Sequence, residues 1–180
     1  RRQGIDIAFV DEFGFSFAEK LATTWAPEGD SPVIRRVRRQ RRELSSVVAL
    51  TLTGKIYKRH FRGSIHGEEV VVALKHFRRH IGDGFILVWD RLSAHRAKLV
   101  RDYLEEHPEI LVEWLPPYAP EINPEEFCHG NVKQHLRNGT WETVSDIQPQ
   151  IDRQFARLRH RRDMILHFFH HAGLTVTQLW

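Results

Sequence analysis

The sequence predicts an α/β fold in which one mixed, five-stranded sheet is flanked by helices. Three observations carry that prediction: short apolar runs bounded by turn residues, an early hairpin marked by glycine, and strand–helix–strand spacing after it. The chain has 180 residues, 41% hydrophobic and 28% charged. That is enough for one ordinary core, so residues 1–180 read as a single domain. No apolar run approaches the ~20 residues that would cross a bilayer, which excludes a membrane protein. The one cysteine, Cys128, excludes an internal disulfide and a Cys-rich zinc module, and it fits a reducing, cytoplasmic setting.

The elements follow in order. Residues 5–10 (IDIAFV) form a short apolar run, expected as a buried strand ending at Asp11. The stretch 12–42 contains Pro27, Gly29 and Pro32 and reads as an irregular excursion. Residues 47–53 and 56–62 are β-rich and separated by Gly54-Lys55, a hairpin with glycine at its first turn position. Val70, Leu74, Phe77 and Ile81 recur at helical spacing and define one apolar face. Gly82 and Gly84 end that helix. Residues 85–89 (FILVW) are a continuous apolar run suited to a central strand, with Asp90 at its end. A helix is expected over 94–106, closed by Pro108, and another strand over 110–114. Four prolines between 115 and 124 exclude regular structure there. A further helix starts after Asn123, and two more occupy 144–160 and 163–171.

Charge adds a functional hint. Lys and Arg number 27 against 23 Asp and Glu, a formal net charge of +4. The excess is local, in RRVRRQRR at 35–42 and in Arg153, Arg157, Arg159, Arg161 and Arg162. Basic clusters on an otherwise balanced domain point to a polyanion such as nucleic acid, or simply form a solvated face.

Three acidic residues stand out by position. Asp11 and Asp90 each follow a strand, and ligands bind beyond the carboxyl ends of strands in open α/β sheets. Glu126 lies in the first turn of the helix after the proline-rich segment. Three carboxylates gathered together repel one another unless a cation sits among them. Oxygen donors without cysteine suit two Mg²⁺ or Mn²⁺ ions, which serve phosphodiester chemistry. Each residue also has a purely structural reading. Aspartate after a strand is a common turn residue. Asn123 as N-cap, Pro124 at N1 and Glu126 at N3 make a helix start of capping-box type.

The strings FVDEFGFSF, TWAPEGDSPV, ILVWDRLSAHRA and LPPYAPEINPEEFCHGNVKQHL occur in that order. Together they resemble the catalytic domain of DDE transposases of the Tc/mariner superfamily, in particular the bacterial insertion-sequence-630 type. The resemblance implies a ribonuclease-H-like fold and an Asp-Asp-Glu triad binding two divalent metal ions. It also implies cleavage of double-stranded DNA at transposon ends, joining of the freed 3′-hydroxyl to target DNA, and a homodimer working on DNA inside a bacterial cytoplasm. By motif register Asp11 matches the first aspartate, Asp90 the second and Glu126 the glutamate. The family's usual spacing from the second aspartate fits Glu125 instead. Register is the better guide, because loops absorb an extra residue easily whereas one helical step turns a side chain by ~100°.

His95 also matches a family position, with a role in orienting metal, water or a carboxylate, or none beyond opening a helix. Lys133 lies along the same helix from Glu126, placed to meet a DNA phosphate or only solvent. Two departures stand out: Arg91 replaces the usual asparagine, and His129 a usual tryptophan. Arg91 brings a cation to the metal site, either weakening metal binding or contacting a phosphate. These departures keep open an alternative, a catalytically decayed nucleic-acid-binding remnant. A ribonuclease-H-like nuclease acting on RNA–DNA hybrids is a third reading. The helix-turn-helix region that reads element ends in this family is expected to be absent from the chain. The terminal His167, His170 and His171 have metal-compatible helical spacing, but packing of an amphipathic last helix is the simpler expectation.

Overall fold

The computed structural model describes residues 5–17, 23–30, 33, 44–82, 84–117 and 119–176. The arginine-rich run at 35–42 lies outside the described residues. Five strands form one sheet in the order β3-β2-β1-β4-β5: β1 Asp6–Phe15, β2 Leu44–Thr51, β3 Ile56–Arg62, β4 Phe85–Trp89 and β5 Ile110–Trp114. β1, β2 and β3 pair antiparallel, whereas β4 runs parallel to both β1 and β5. Among the described residues the helices are α1 Gly67–Ile81, α2 Lys98–Glu105, α3 Pro124–His135, α4 Val144–Arg159 and α5 Arg162–His171, and a 3₁₀ turn, Pro120–Ile122, precedes α3.

The period of two along each strand sends alternate side chains to opposite faces. From β1, Phe9, Phe13 and Phe15 enter a core closed by α3, α4 and α5. Ala8 and Val10 face the second core, with Val70, Leu74 and Phe77 of α1 and Val100 of α2. Helices therefore cover both faces, and β2 is buried along its whole length.

The first strand does not stop at Asp11. It runs on to Phe15, because Asp11 through Phe15 continue the antiparallel ladder with β2. Strand alternation thus sends Asp11 and Glu12 to opposite faces. The hairpin also differs in detail. Thr51 accepts from Gly54 N–H at 2.8 Å, and its own N–H donates to Lys55 at 2.9 Å. Gly54 has φ 76°, so it occupies the left-handed position of a three-residue loop rather than the first position of a two-residue turn. α2 begins at Lys98, later than expected. Residues 94–97 form tight turns instead, with the His95 side chain drawn inward.

Candidate functional site

β1 and β4 run parallel with Phe9 opposite Val88. Two residues further on, Asp11 and Asp90 emerge toward the same face, since side chains two apart share a face. The proline-rich segment after β5 crosses this edge and delivers α3. The result is a cleft of about 380 Å³ lined by Asp11, Asp90, Arg91, Asn123 and Glu126 among others. All three sequence-nominated carboxylates reach this cleft.

Asn123 links the start of α3 to β1. Its side-chain oxygen accepts from Glu125 N–H at 3.2 Å, and its amide donates to Asp11 Oδ2 at 3.4 Å. Such a cap contributes about 1 kcal/mol to the helix; here it also fixes α3 against Asp11. The capping-box reading of Glu126 is corrected: its carboxylate does not turn back to the N-cap but meets His129 Nε2 at 2.8 Å. Glu125 is fully buried and bonds His129 Nδ1 at 2.9 Å. The neighbours at 125 and 126 therefore differ sharply, Glu126 lining the cleft and Glu125 lying beneath it.

Asp11, Glu126 and His129 form the tight cluster, with one ligand-type atom from each lying within 4.8 Å of the others. Asp90 lines the cleft but is not part of that cluster. Its Oδ1 accepts from Leu92 N–H at 3.0 Å and pairs with His95 Nδ1 at 2.9 Å. His95 is buried, stacked on Trp89 with ring centroids 4.1 Å apart, and its Nε2 meets Glu12 Oε1 at 2.5 Å. A Glu12–His95–Asp90 chain thus runs behind the cleft from the opposite face of β1.

The electrostatics follow from this crowding. Burial, then the charge of Glu125, pushes the Asp11 carboxyl far above the usual carboxylate range despite the pull of His129. Burial likewise raises Glu125 to about 7. Burial alone would depress His129, but the carboxylates around it carry its pKa up to about 10. The His129 hydrogen bond holds Glu126 low. Asp90, which burial would raise, is held low by His95 and the Leu92 N–H. His95, which burial would lower, is raised to about 10 by Asp90 and Glu12. An anionic pocket that suppresses its own ionisation in this way is suited to a cation. The oxygen and imidazole donors fit a divalent metal ion, and without cysteine they lack the soft ligands of a thiolate zinc site.

The remaining nominated residues are less central. Arg91 is exposed on the cleft wall, and among the described residues no carboxylate pairs with it. Lys133 is half-buried over the Phe13 ring at 5.7 Å, close enough to Glu126 to favour its charged form. Some of the second basic cluster is engaged structurally: Arg157 donates to Asn131 at 2.6 Å, Arg159 to the Ile56 carbonyl at 3.0 Å, and Arg161 to Asp163 at 2.8 Å. The terminal histidines lie on the exposed side of α5, which buries Ile165, Phe168 and Phe169 instead, and His167 bonds the Asp163 carbonyl. The sequence marks Asn123 as the N-cap, which the structure bears out, and offers Glu125 only as an alternative to Glu126; it assigns no role to Glu12 or His129. The one available signal was His129 as a departure from the expected tryptophan.

A family model described as DDE superfamily endonuclease matches residues 6–148. Among solved structures, the Mos1 mariner paired-end complex with Mn superposes with a TM-score of 0.67 at 18% identity, covering 93% of this chain and 53% of that one. The Mos1 transposase paired-end complex with left transposon end gives 0.62 at 17%, covering 94% and 56%. The catalytic domain of Mos1 mariner transposase gives 0.60 at 15%, covering 94% and 83%. At such identities the likeness establishes the ribonuclease-H-like fold. The chain spans about half the length of the two Mos1 chains in the paired-end complexes. No curated protein sequence matches it.

Proposed function

Because this chain belongs to the DDE superfamily endonucleases, we propose that it is the catalytic domain of a transposase, cutting double-stranded DNA at transposon ends and joining it to target DNA. The observation that carries this reading is the convergence of Asp11, Asp90 and Glu126 on one cleft. In this proposal those three residues hold two Mg²⁺ or Mn²⁺ ions. Such ions activate a water or a 3′-hydroxyl and steady the leaving oxygen in phosphodiester chemistry. The chain's own residues do the positioning: His95 and the Leu92 N–H orient Asp90, while Asn123 ties the start of α3 to Asp11. Arg91 and Lys133 supply cations beside the cleft for DNA phosphates, a contribution that weakens with salt. A homodimer on DNA, an insertion-sequence-630 affiliation and a bacterial cytoplasmic setting belong to the same proposal. Among the described residues no helix is long and apolar enough to cross a membrane.

A second reading, a decayed copy that binds DNA without cutting it, draws on the exposed Arg91 at the cleft wall. Nicking of duplex DNA under Mg²⁺ or Mn²⁺ tests both. The proposal predicts cation-dependent cutting that is lost in Asp90→Asn and retained in Arg91→Asn, which loses only the salt-sensitive phosphate contact. Equal cutting by Asp90→Asn removes the assigned role. No cutting by the native chain, with cutting restored in Arg91→Asn, identifies the decayed copy.

A further inference from the structure

α3 presents Glu125, Glu126 and His129 within its first two turns. Positions three and four apart on a helix are neighbours, so one imidazole reaches both glutamates. The ring is buried against Phe13, stacked with centroids 4.9 Å apart and 23° between planes, which fixes its orientation. Nδ1 is taken by Glu125 Oε2 at 2.9 Å, while Nε2 lies 2.8 Å from Glu126 Oε2 at the cleft. The other Glu125 oxygen, Oε1, is buried with no hydrogen-bond partner. A buried carboxylate with so little compensation weakens the fold unless it serves something else. Holding a histidine tautomer is such a service. A histidine that binds metal through one ring nitrogen characteristically gives the N–H of the other to a carboxylate.

We propose that His129 is a nitrogen ligand, through Nε2, to a divalent ion held by Asp11 and Glu126, with Glu125 as the buried carboxylate that fixes its Nδ1–H. The inference rests on the metal-binding reading above and deepens it. Glu-x-x-His on one helix face is a spacing at which both side chains reach the same metal. The residue standing where the resemblance expects a non-ligating tryptophan thereby changes the donor set from oxygen alone to oxygen and nitrogen. Imidazole suits transition metals, whereas Mg²⁺ prefers carboxylate and water. The site therefore discriminates in favour of Mn²⁺ more strongly than three carboxylates would.

The test is pulsed electron paramagnetic resonance on the chain loaded with Mn²⁺, together with Mn²⁺ and Mg²⁺ titrations. Imidazole ¹⁴N modulation is expected in the native chain and absent in His129→Asn. That variant should still bind Mn²⁺, but with its Mn²⁺-over-Mg²⁺ preference reduced about tenfold or more. Glu125→Gln should keep the modulation and bind Mn²⁺ about tenfold more weakly. Mn²⁺ binding that depends on Asp11 but lacks nitrogen modulation overturns the role of His129 and leaves the proposed function standing. Modulation persisting in His129→Asn also overturns it, pointing to another imidazole. No Mn²⁺ binding sensitive to Asp11→Asn defeats both. Should His129→Asn fail to fold, His129→Gln takes its place: loss of the ¹⁴N modulation supports the ligand, and persistence overturns it.

Discussion

Replacing His95 by glutamine removes the cation between Asp90 and Glu12 while leaving a polar group in its place. In the fold His95 has a pKa raised from 6.5 to about 10, with Asp90 and Glu12 overcoming the depressing effect of burial. A raised histidine pKa stabilises the folded state fully below the unfolded value, and that stabilisation disappears as pH climbs through the folded value. At 1.36 kcal/mol per pKa unit, the imidazolium contributes about 4 kcal/mol at pH 7 and under about 1 kcal/mol by pH 10. A second route gives a similar size, since breaking a buried ion pair costs about 3–5 kcal/mol. Against a total of roughly 5–15 kcal/mol for a domain, His95→Gln should be severely destabilised at neutral pH. Urea unfolding in chelator, followed from pH 6.5 to 10, reads the effect. The gap between native chain and variant should narrow steadily across that range, leaving only the pH-independent loss of the ring stacked on Trp89. A gap that stays constant refutes the charged His95 bridge.

The raised Asp11 carboxyl, driven up by burial and Glu125, couples metal binding to proton release. Below its folded pKa an ion bound by Asp11 must displace that proton, and ligation by His129 Nε2 displaces another, so the Kd for Mn²⁺ should fall by about tenfold or more per pH unit between pH 6 and 8; calorimetric titration checks this, and a flat profile contradicts it. The same shift makes the metal-free fold lose stability as pH rises above the ordinary carboxylate range, with added Mn²⁺ restoring it. Lys133→Ala should reduce the slope of log affinity for duplex DNA against log salt by about one while leaving the fold intact; an unchanged slope assigns the lysine to Phe13 and solvent alone.

Elements whose signal is local were legible in the sequence. β4 and β5 fall where their apolar runs end, and α3 begins where Asn123 and Pro124 dictate. The apolar run marks β1 only as far as Val10, because Asp11-Glu12 interrupts it. Yet Phe9, Phe13 and Phe15 keep the period of two through the interruption. That alternation separates Asp11, on the α3 side, from Glu12, which meets His95 on the other. The positions of Asp11, Asp90 and Glu126 were nominated from strand ends and motif register. His95 is marked by its family position as able to orient a carboxylate, and it does pair with Asp90; its second partner Glu12 is not marked, because the two lie far apart in sequence and meet only across the β1–β4 edge. His129 and Glu125 are neighbours on one helix, yet nothing local distinguishes a buried glutamate from an exposed one beside it; the packing of α3 on Phe13 does.

Diffraction from crystals soaked in Mn²⁺, recorded at the manganese absorption edge, tests the central claim most directly. Two anomalous peaks are expected inside the cleft, contacted by Asp11, Asp90 and Glu126 and absent from Asp11→Asn crystals. Manganese bound only elsewhere, or a cleft without anomalous density at saturating Mn²⁺, would contradict it.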